Sequence, residues 1–390
     1  MYKICVVTAT RAEYGLLRPL LFRLKKNTDV ELQLVVTGSH LSEKFGGTYK
    51  EIEADGFEEY SKIFIPLDDD SKIGMAVATG AATEKFAELF GKIYPDMVVI
   101  LGDRYEMLGV ATAAHLLGIP IAHLSGGDVT ESAIDDAVRH CITKFSQLHF
   151  PGCEQSRMRI IQMGEQPETV FNVGEPGVEN ALNMQLLDRK ELSDFVSFAG
   201  IMHDYSIVTF HPVTMEDNTE TQQVSELIRA IDHFPDMNYV ITMANADAGG
   251  RAINEIWQKE KKRHSNWLVV SSLGVLRYLS AVKYAKAVIG NSSSGIVEAP
   301  SLGVPTVNIG DRQKGRMTAE SVISCSHRYD DIINSLNIVF SNDFQEKAKH
   351  VYSPFGDGNT SELIEKHILD YLSNNHRTLE KHFYDIDFSI

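Results

Sequence analysis

Three consecutive serines, Ser292, Ser293 and Ser294, follow an apolar run and lead into Gly295 and Glu298, and the turn GDRQKGR then brings Arg312, Lys314 and Arg316. Free backbone N–H groups at a helix start, together with its positive dipole end, favour an anion, and the hydroxyls add donors. Arg312 and Arg316 supply charge or positioning. A phosphate is the ligand such a set would hold. Glu298, one to two turns further on, suits a ribose diol, because a carboxylate accepts hydrogen bonds from two hydroxyls. The combination points to a nucleotide diphosphate bound without a GxxxxGK[ST] loop. The plainer reading is that one serine caps the helix and the others are incidental.

The other chemistry-bearing residues follow short apolar runs. TATRAEYG places Arg11 after the first run, where a guanidinium could reach a second phosphate or simply pair with Glu13. LGDRYEM places Asp103 and Arg104 at another strand end, where an aspartate is also a routine helix cap. HLSGGDVTESAIDDAVRH offers His123, Asp128, Asp135, Asp136, Arg139 and His140. A helix starting near Ser132 would put Asp135 and Arg139 on one face, as catalytic neighbours or as a surface ion pair. VTFHPVT leaves His211 at a strand end.

The elements that must position these residues are legible. KICVVTAT, ELQLVVTGS, MVVILGDR and PIAHLSGGD alternate with amphipathic stretches such as GLLRPLLFRLKKN. Their apolar residues are successive rather than alternate, as in a parallel sheet covered on both faces. The pattern restarts at YSIVTFHP and runs through NYVITMANADAGG, NWLVVSSLG, KAVIGNSSSG and VPTVNIGD. At 390 residues, two domains are expected: 1–172 and 173–360, both doubly wound α/β units, with a ligand cleft between them. A C-terminal amphipathic helix is expected over 361–376.

Composition narrows the function. A net charge of −16 argues against a nucleic-acid surface while permitting one local anion site. Cys5, Cys141, Cys153 and Cys325 form no CxxC pair and read as buried thiols. No HExxH or EF-hand spacing suggests a metal, and no GxGxxG fingerprint suggests a dinucleotide, so neither metal nor cofactor is expected. Without a signal peptide or an apolar run approaching about 20 residues, a cytoplasmic protein with no membrane partner is expected.

TATRAEYG, LGDRYEM, GGD with IDDAVRHCITK, TFHP, NADAG, the serine-to-GDRQKGR stretch and the late FGDG together resemble the UDP-N-acetylglucosamine 2-epimerase family. They resemble most its hydrolysing branch, which makes N-acetylmannosamine for sialic acid synthesis. The resemblance spans roughly residues 1–375. It implies a glycosyltransferase-B-like fold, a nucleotide-sugar substrate and a C-terminal helix returning to the first domain. A homodimer or homotetramer is expected. By correspondence, Arg11, Arg104, His211, Ser292, Ser293, Glu298 and Arg312 match nucleotide-diphosphate contacts, and Asn245 a nucleotide-side residue. Asp103, Asp135 and Arg139 match the catalytic pocket, where His211 is also a candidate. Ser125 stands where some members carry a carboxylate, which leaves Asp128 or Asp136 to substitute. The expected reaction is therefore conversion of UDP-N-acetylglucosamine and water to N-acetylmannosamine and UDP; GGD in place of GGE leaves a different amino sugar, such as the GDP- or UDP-linked diacetamido sugars of legionaminic acid synthesis, as the alternative. A non-hydrolysing epimerase, a glycosyltransferase and a non-catalytic sensor are the other readings.

Epimerisation here needs prior loss of the anomeric substituent, because C-2 is not next to a carbonyl. Acid/base groups are then required on two sides of the ring, and Asp103 and Asp135 are the choices, one of them with a raised pKa.

Overall fold

A computed structural model describes residues 1–43, 46–69, 71–130, 134–212, 220–244, 250–374 and 379–387. Two compact units emerge: Met1–Val129, Ile134–Glu179 and Gly358–Ile390 in the first, Thr130–Ala133 and Asn180–Asp357 in the second. Each is a parallel six-stranded sheet with flanking helices.

The first sheet comprises β1 (Tyr2–Thr8), β2 (Val30–Thr37), β3 (Ser61–Ile63), β4 (Met97–Leu101), β5 (Ile121–Leu124) and β6 (Leu148–Phe150). They lie in the order β3-β2-β1-β4-β5-β6. The helices of this part are α1 (Arg11–Lys26), α2 (Tyr49–Ala54), α3 (Lys72–Ile93), α4 (Tyr105–Leu116), α5 (Ile134–Phe145) and α6 (Glu154–Gln162). The chain passes to the second unit within α7 (Pro176–Asn183).

The second sheet comprises β7 (Tyr205–Thr209), β8 (Asn238–Thr242), β9 (Trp267–Val270), β10 (Val288–Gly290), β11 (Thr306–Ile309) and β12 (Val322–Cys325). Its order, β12-β11-β10-β7-β8-β9, repeats that of the first. Around it lie α8 (Arg189–Val196), α9 (Glu220–Asp232), α10 (Gly250–Lys261), α11 (Gly274–Tyr284), α12 (Ser294–Ser301), α13 (Tyr329–Phe340) and α14 (Asn342–Ala348). The last helix, α15 (Thr360–Ser373), belongs to the first unit.

Burial on both faces explains the unbroken apolar strands. Along β1, Ile4 and Val6 join Leu17, Leu20 and Leu21 of α1 and Ile364, Ile368 and Leu372 of α15 in one cluster. Cys5 and Val7 face the other way, into a cluster with Phe86 and Phe90 of α3 and Val110 of α4. Strand β7 behaves alike: Val208 joins Ile231 and Trp257, while Ile207 joins Ala281 and Val282. Two of the four thiols, Cys5 and Cys153, are buried. Cys141 is exposed on α5, against expectation, because that helix turns Val138 and Ile142 inward instead. Among the described residues, no helix is long and apolar enough to cross a membrane.

Residues 379–387 run back along the first unit. The Lys381 ammonium donates to Glu165 Oε2 at 2.5 Å and to the carbonyls of Lys144 and Ser146 at 3.0 and 2.6 Å. Burial alone would raise the Glu165 carboxyl, yet hydrogen bonds from His149, Lys144 and Lys381 hold it down to about 2. The Tyr384 amide adds a bond to the Gly164 carbonyl at 2.9 Å. Because Glu165 is 1% exposed, removing one of its donors uncovers charge in a dry site. Lys381→Met in the full chain should therefore cost about 1.5–3 kcal/mol of unfolding free energy, the range for a charged hydrogen bond. Equilibrium denaturation of the two proteins measures the difference, and identical midpoints would mean that the tail segment contributes nothing.

Candidate active site

In both sheets the strand order reverses beside the first strand, between β1 and β4 and between β7 and β10. Loops leaving the carboxyl ends of such a pair run in opposite directions and open a crevice. Every residue singled out after β1, β4, β7 or β10 lies at one of these two places.

In the second unit, Gly290 ends β10 at φ +131°, and a Cβ there would overlap the Thr209 carbonyl, so only glycine fits. The next residue, Asn291, is 1% exposed and holds the site together. Its Oδ1 accepts the His211 N–H at 2.7 Å, and its Nδ2 donates to the His211 carbonyl at 2.8 Å. Its own carbonyl accepts from Arg312 Nη1 at 3.0 Å and Gln313 Nε2 at 2.9 Å. One residue, through its side-chain amide and its backbone carbonyl, thus fixes both the end of β7 and the basic turn after β11. Burial, reinforced by the Arg312 charge, lowers the His211 imidazole to about 4, so at neutral pH it is an uncharged donor or acceptor.

The serines lie where α12 begins. Ser293 is the residue before its first turn and uses no side-chain cap, and the Ser292 hydroxyl accepts the Ser294 N–H at 3.4 Å. Ser294 and Glu298 are four apart and share a helix face. Ser294 Oγ, Glu298 Oε2 and Tyr278 Oη are buried and lack a well-directed hydrogen bond among the described residues, with the Ser294 hydroxyl beside both the Glu298 carboxyl and Tyr278. Buried polar atoms of that kind ordinarily have partners, so a polyhydroxylated ligand is a chemically suitable occupant. Burial also raises the Glu298 carboxyl.

In the first unit, Arg104 follows β4. Its Nε lies 2.6 Å from Glu106 Oε1 and 3.8 Å from Glu13 Oε1. Glu13 Oε2 accepts the Ala9 N–H at 2.7 Å while Thr10 caps α1, so the turn after β1 and the arginine after β4 are tied together. Arg11 forms an ion pair with Glu51 of α2 at 2.8 Å. Burial pushes the Glu13 carboxyl up to about 7, against the lowering influence of Arg104.

Arg139, 3% exposed, is the second anchor. Its guanidinium pairs with Asp103, donates to the Asp128 carbonyl at 2.8 Å and lies 3.7 Å from Asp136. Asp136 also lies 3.6 Å from His140. The Asp128 carboxylate accepts from Ser156 at 2.6 Å, and Ser156 contacts Cys153 at 3.3 Å. His123 is buried neutral, its imidazole lowered to about 3 by desolvation, and bridges the Gly102 carbonyl and Thr143 at 2.8 and 3.1 Å. Asp135 is exposed in the first turn of α5. Ser125, at φ +57°, donates to Glu175 Oε2 at 2.9 Å.

A family model described as UDP-N-acetylglucosamine 2-epimerase matches residues 23–369. The chain belongs to the UDP-N-acetylglucosamine 2-epimerase family. It is 42% identical over 339 residues to the hydrolysing GDP/UDP-N,N'-diacetylbacillosamine 2-epimerase of Campylobacter jejuni, covering 87% of this chain and 86% of that one. It is 36% identical over 361 residues to the hydrolysing UDP-N,N'-diacetylbacillosamine 2-epimerase of Legionella pneumophila, covering 92% and 93%. The crystal structure of the Neisseria meningitidis UDP-GlcNAc 2-epimerase bound to UDP-GlcNAc shares the fold, with a TM-score of 0.80 at 18% identity over 94% of this chain and all of that one.

Within this family member, Asp103, Asp128, Asp136 and Arg139 come together in the first unit, and His211 and Arg312 meet in the second at Asn291, the residue before Ser292 and Ser293. Asn245 lies outside the described residues, as does the segment around Ser132 where α5 was expected to start. The unit division falls after Glu179 rather than at 172. Sequence reasoning missed Asn291, Tyr278, Glu106 and Glu175, and named Glu13 only as a partner for Arg11, whereas it faces Arg104. Only Glu13 carried a local signal, three residues after a capping threonine.

Glu13 makes the first unit's stability depend on pH. An unfolded carboxyl near 4.5 loses its proton well before the native one near 7, so the native state binds more protons in that window. Stability should fall as pH rises from about 4.5 to about 7, at up to about 1.4 kcal/mol per pH unit, then level off. Glu13→Gln should remove this slope in denaturation curves taken across the range. Equal slopes in both proteins would mean that Glu13 titrates as it does in water.

Proposed function

We propose that this chain is a hydrolysing 2-epimerase of a nucleotide-linked 2-acetamido sugar, with a diacetamido sugar of the N,N'-diacetylbacillosamine kind as its preferred substrate. The observation that carries the reading is the second unit's anion and diol site. The α12 N-terminus, Arg312 and neutral His211 are joined through Asn291, and Ser294, Tyr278 and Glu298 gather buried polar atoms on that helix and beside it. Substrate preference rests on the names of the Campylobacter and Legionella relatives. The family's description supports UDP-N-acetylglucosamine as a second reading, with N-acetylmannosamine as product for sialic acid synthesis.

The second unit would bind the nucleotide diphosphate. As the C-1–O bond breaks, its electron pair leaves with the diphosphate. Serine hydroxyls, backbone N–H groups and Arg312 stabilise the charge that grows there. Loss of that bond makes the neighbouring C-2 proton acidic, and a carboxylate of the first unit takes it, leaving a glycal. Asp103 and Asp135 are the proposed acid/base pair, with Arg139 fixing Asp103. Protonation at C-2 from the opposite face and capture of water at C-1 complete the epimer. Arg11 and Arg104 are proposed as further phosphate contacts and Asn245 as a nucleoside contact. We place the protein in the cytoplasm, where nucleotide sugars are made.

Incubation with UDP-N-acetylglucosamine and with UDP- and GDP-linked diacetylbacillosamine in deuterated water, followed by NMR, tests the reading. The expected products are the nucleoside diphosphate and a free 2-epimer carrying one deuterium at C-2, formed fastest from a diacetamido substrate. Retained protium at C-2 would exclude the glycal route, and a product still joined to its nucleotide would exclude hydrolysis.

Ser293→Ala combined with Arg312→Ala should weaken UDP binding. A hydrogen bond to a charged group contributes about 1.5–3 kcal/mol, or roughly a tenfold to hundredfold change in Kd. Calorimetry with UDP reads this directly, and unchanged affinity would remove the phosphate role from α12.

A further inference from the structure

Inverting a carbon by proton exchange needs two groups, because the proton removed from one face must be replaced from the other. In the first unit, Asp103 and Asp136 converge on one guanidinium, Arg139, and Asp128 is engaged by Ser156. These groups form one cluster, beside the end of β4. A further carboxylate reaches the carboxyl end of the same sheet, beside β5 and β6.

That carboxylate is Glu175, in the segment leading into α7. Two local features seat it. Ser125 leaves β5 at φ +57°, a left-handed conformation that costs a non-glycine residue energy, and its hydroxyl donates to Glu175 Oε2 at 2.9 Å. Gly152, just past β6, leaves the space that the Glu175 carboxylate fills, and a Cβ at 152 would overlap it. Ser125 is locked in register by its N–H to the Phe150 carbonyl at 2.9 Å, and Leu124 accepts the Gly102 N–H at 3.0 Å. Ser125 and the Gly102–Asp103 turn therefore leave neighbouring strands, about 4.8 Å apart, a separation close to the width of a pyranose ring.

We propose that Glu175, oriented by Ser125, takes the place of the exposed Asp135 as the second proton-handling carboxylate, delivering the proton that resets C-2 of the sugar. The assignment rests on the functional reading above. In the elimination, the C-2–H and C-1–O bonds break, a C-1=C-2 double bond forms, and the proton goes to the carboxylate beside Arg139. In the hydration, the Glu175 carboxyl gives its proton to C-2, water oxygen bonds to C-1, and the proton that the water loses returns to Glu175. Ser125 is a positioning residue. Its hydroxyl aims the carboxyl and takes no proton from the sugar.

The test uses the full-length protein and the sugar nucleotide that the unaltered enzyme turns over, with nucleoside diphosphate, glycal and epimer followed separately by NMR. Glu175→Gln should keep diphosphate release within a few fold while epimer formation falls by about 10²–10⁴-fold, so that glycal accumulates. Glu175→Asp should recover part of the epimer. Ser125→Ala, and Gly152→Ala, which pushes the carboxylate aside, should shift the same ratio more weakly. An unchanged glycal-to-epimer ratio in Glu175→Gln, or a parallel fall of both steps with intact UDP binding and melting temperature, would overturn the assignment. Should Glu175→Gln fail to fold, an unchanged ratio in Ser125→Ala overturns it instead. Epimer formation by the unaltered enzyme with no effect of these variants leaves the functional reading standing. Absence of turnover on every sugar nucleotide overturns both.

Discussion

The reversal of strand order in each sheet is the constraint on which the functional edge depends. Parallel strands need crossover connections, and the right-handedness of those crossovers puts helices on opposite faces either side of the reversal. No connection can then cover the carboxyl ends of β1 and β4, or of β7 and β10. Backbone groups at those ends stay available for a ligand. Polar residues can sit there without breaking a core that excludes water on both faces of the central strands. Both sheets use the same order, so a single packing rule produces both edges.

At these edges the chain builds local charge against a net charge of −16. Each cation is held by fixed partners, and in each case at least one comes from another element. Arg104 is gripped by Glu106 and faces Glu13, Arg139 is gripped by Asp103 and the Asp128 carbonyl, and Arg312 donates to Asn291. Such pairing limits the conformations of long side chains, so little ordering entropy remains to be lost on binding. His211 and His123, both lowered by burial, stay neutral at neutral pH and act through hydrogen bonds. They fix geometry without adding charge.

Much of the site was legible because parallel α/β sheets place chemistry at strand ends, and strand ends can be read from apolar runs. Asp103, Arg104, His211 and Ser292 were singled out in this way. The partners that orient them were not, since their signals are not local. Asn291 reads as one more polar residue before three serines, and only the pairing of β10 with β7 sets its amide against His211. Glu175 lies 50 residues from Ser125 and in no motif. Asp135, a clear candidate by spacing, is exposed at the start of α5, whereas Asp103 is the carboxylate that Arg139 is seen to grip.

The sequence by itself determined the class of fold, the two units, the helix start that carries the serine segment and the family. All four are properties of contiguous stretches, in which periodicity, turn residues and helix starts act over a few residues. Tertiary structure alone decided which carboxylate meets which arginine, which buried acids carry shifted pKa values, and which hydroxyl aims Glu175. Those outcomes depend on distances between segments remote in sequence and on the desolvation that packing imposes. Hydrogen bonds and burial act through space at ranges of a few ångströms, and one chain's order does not encode such ranges until its strands have paired.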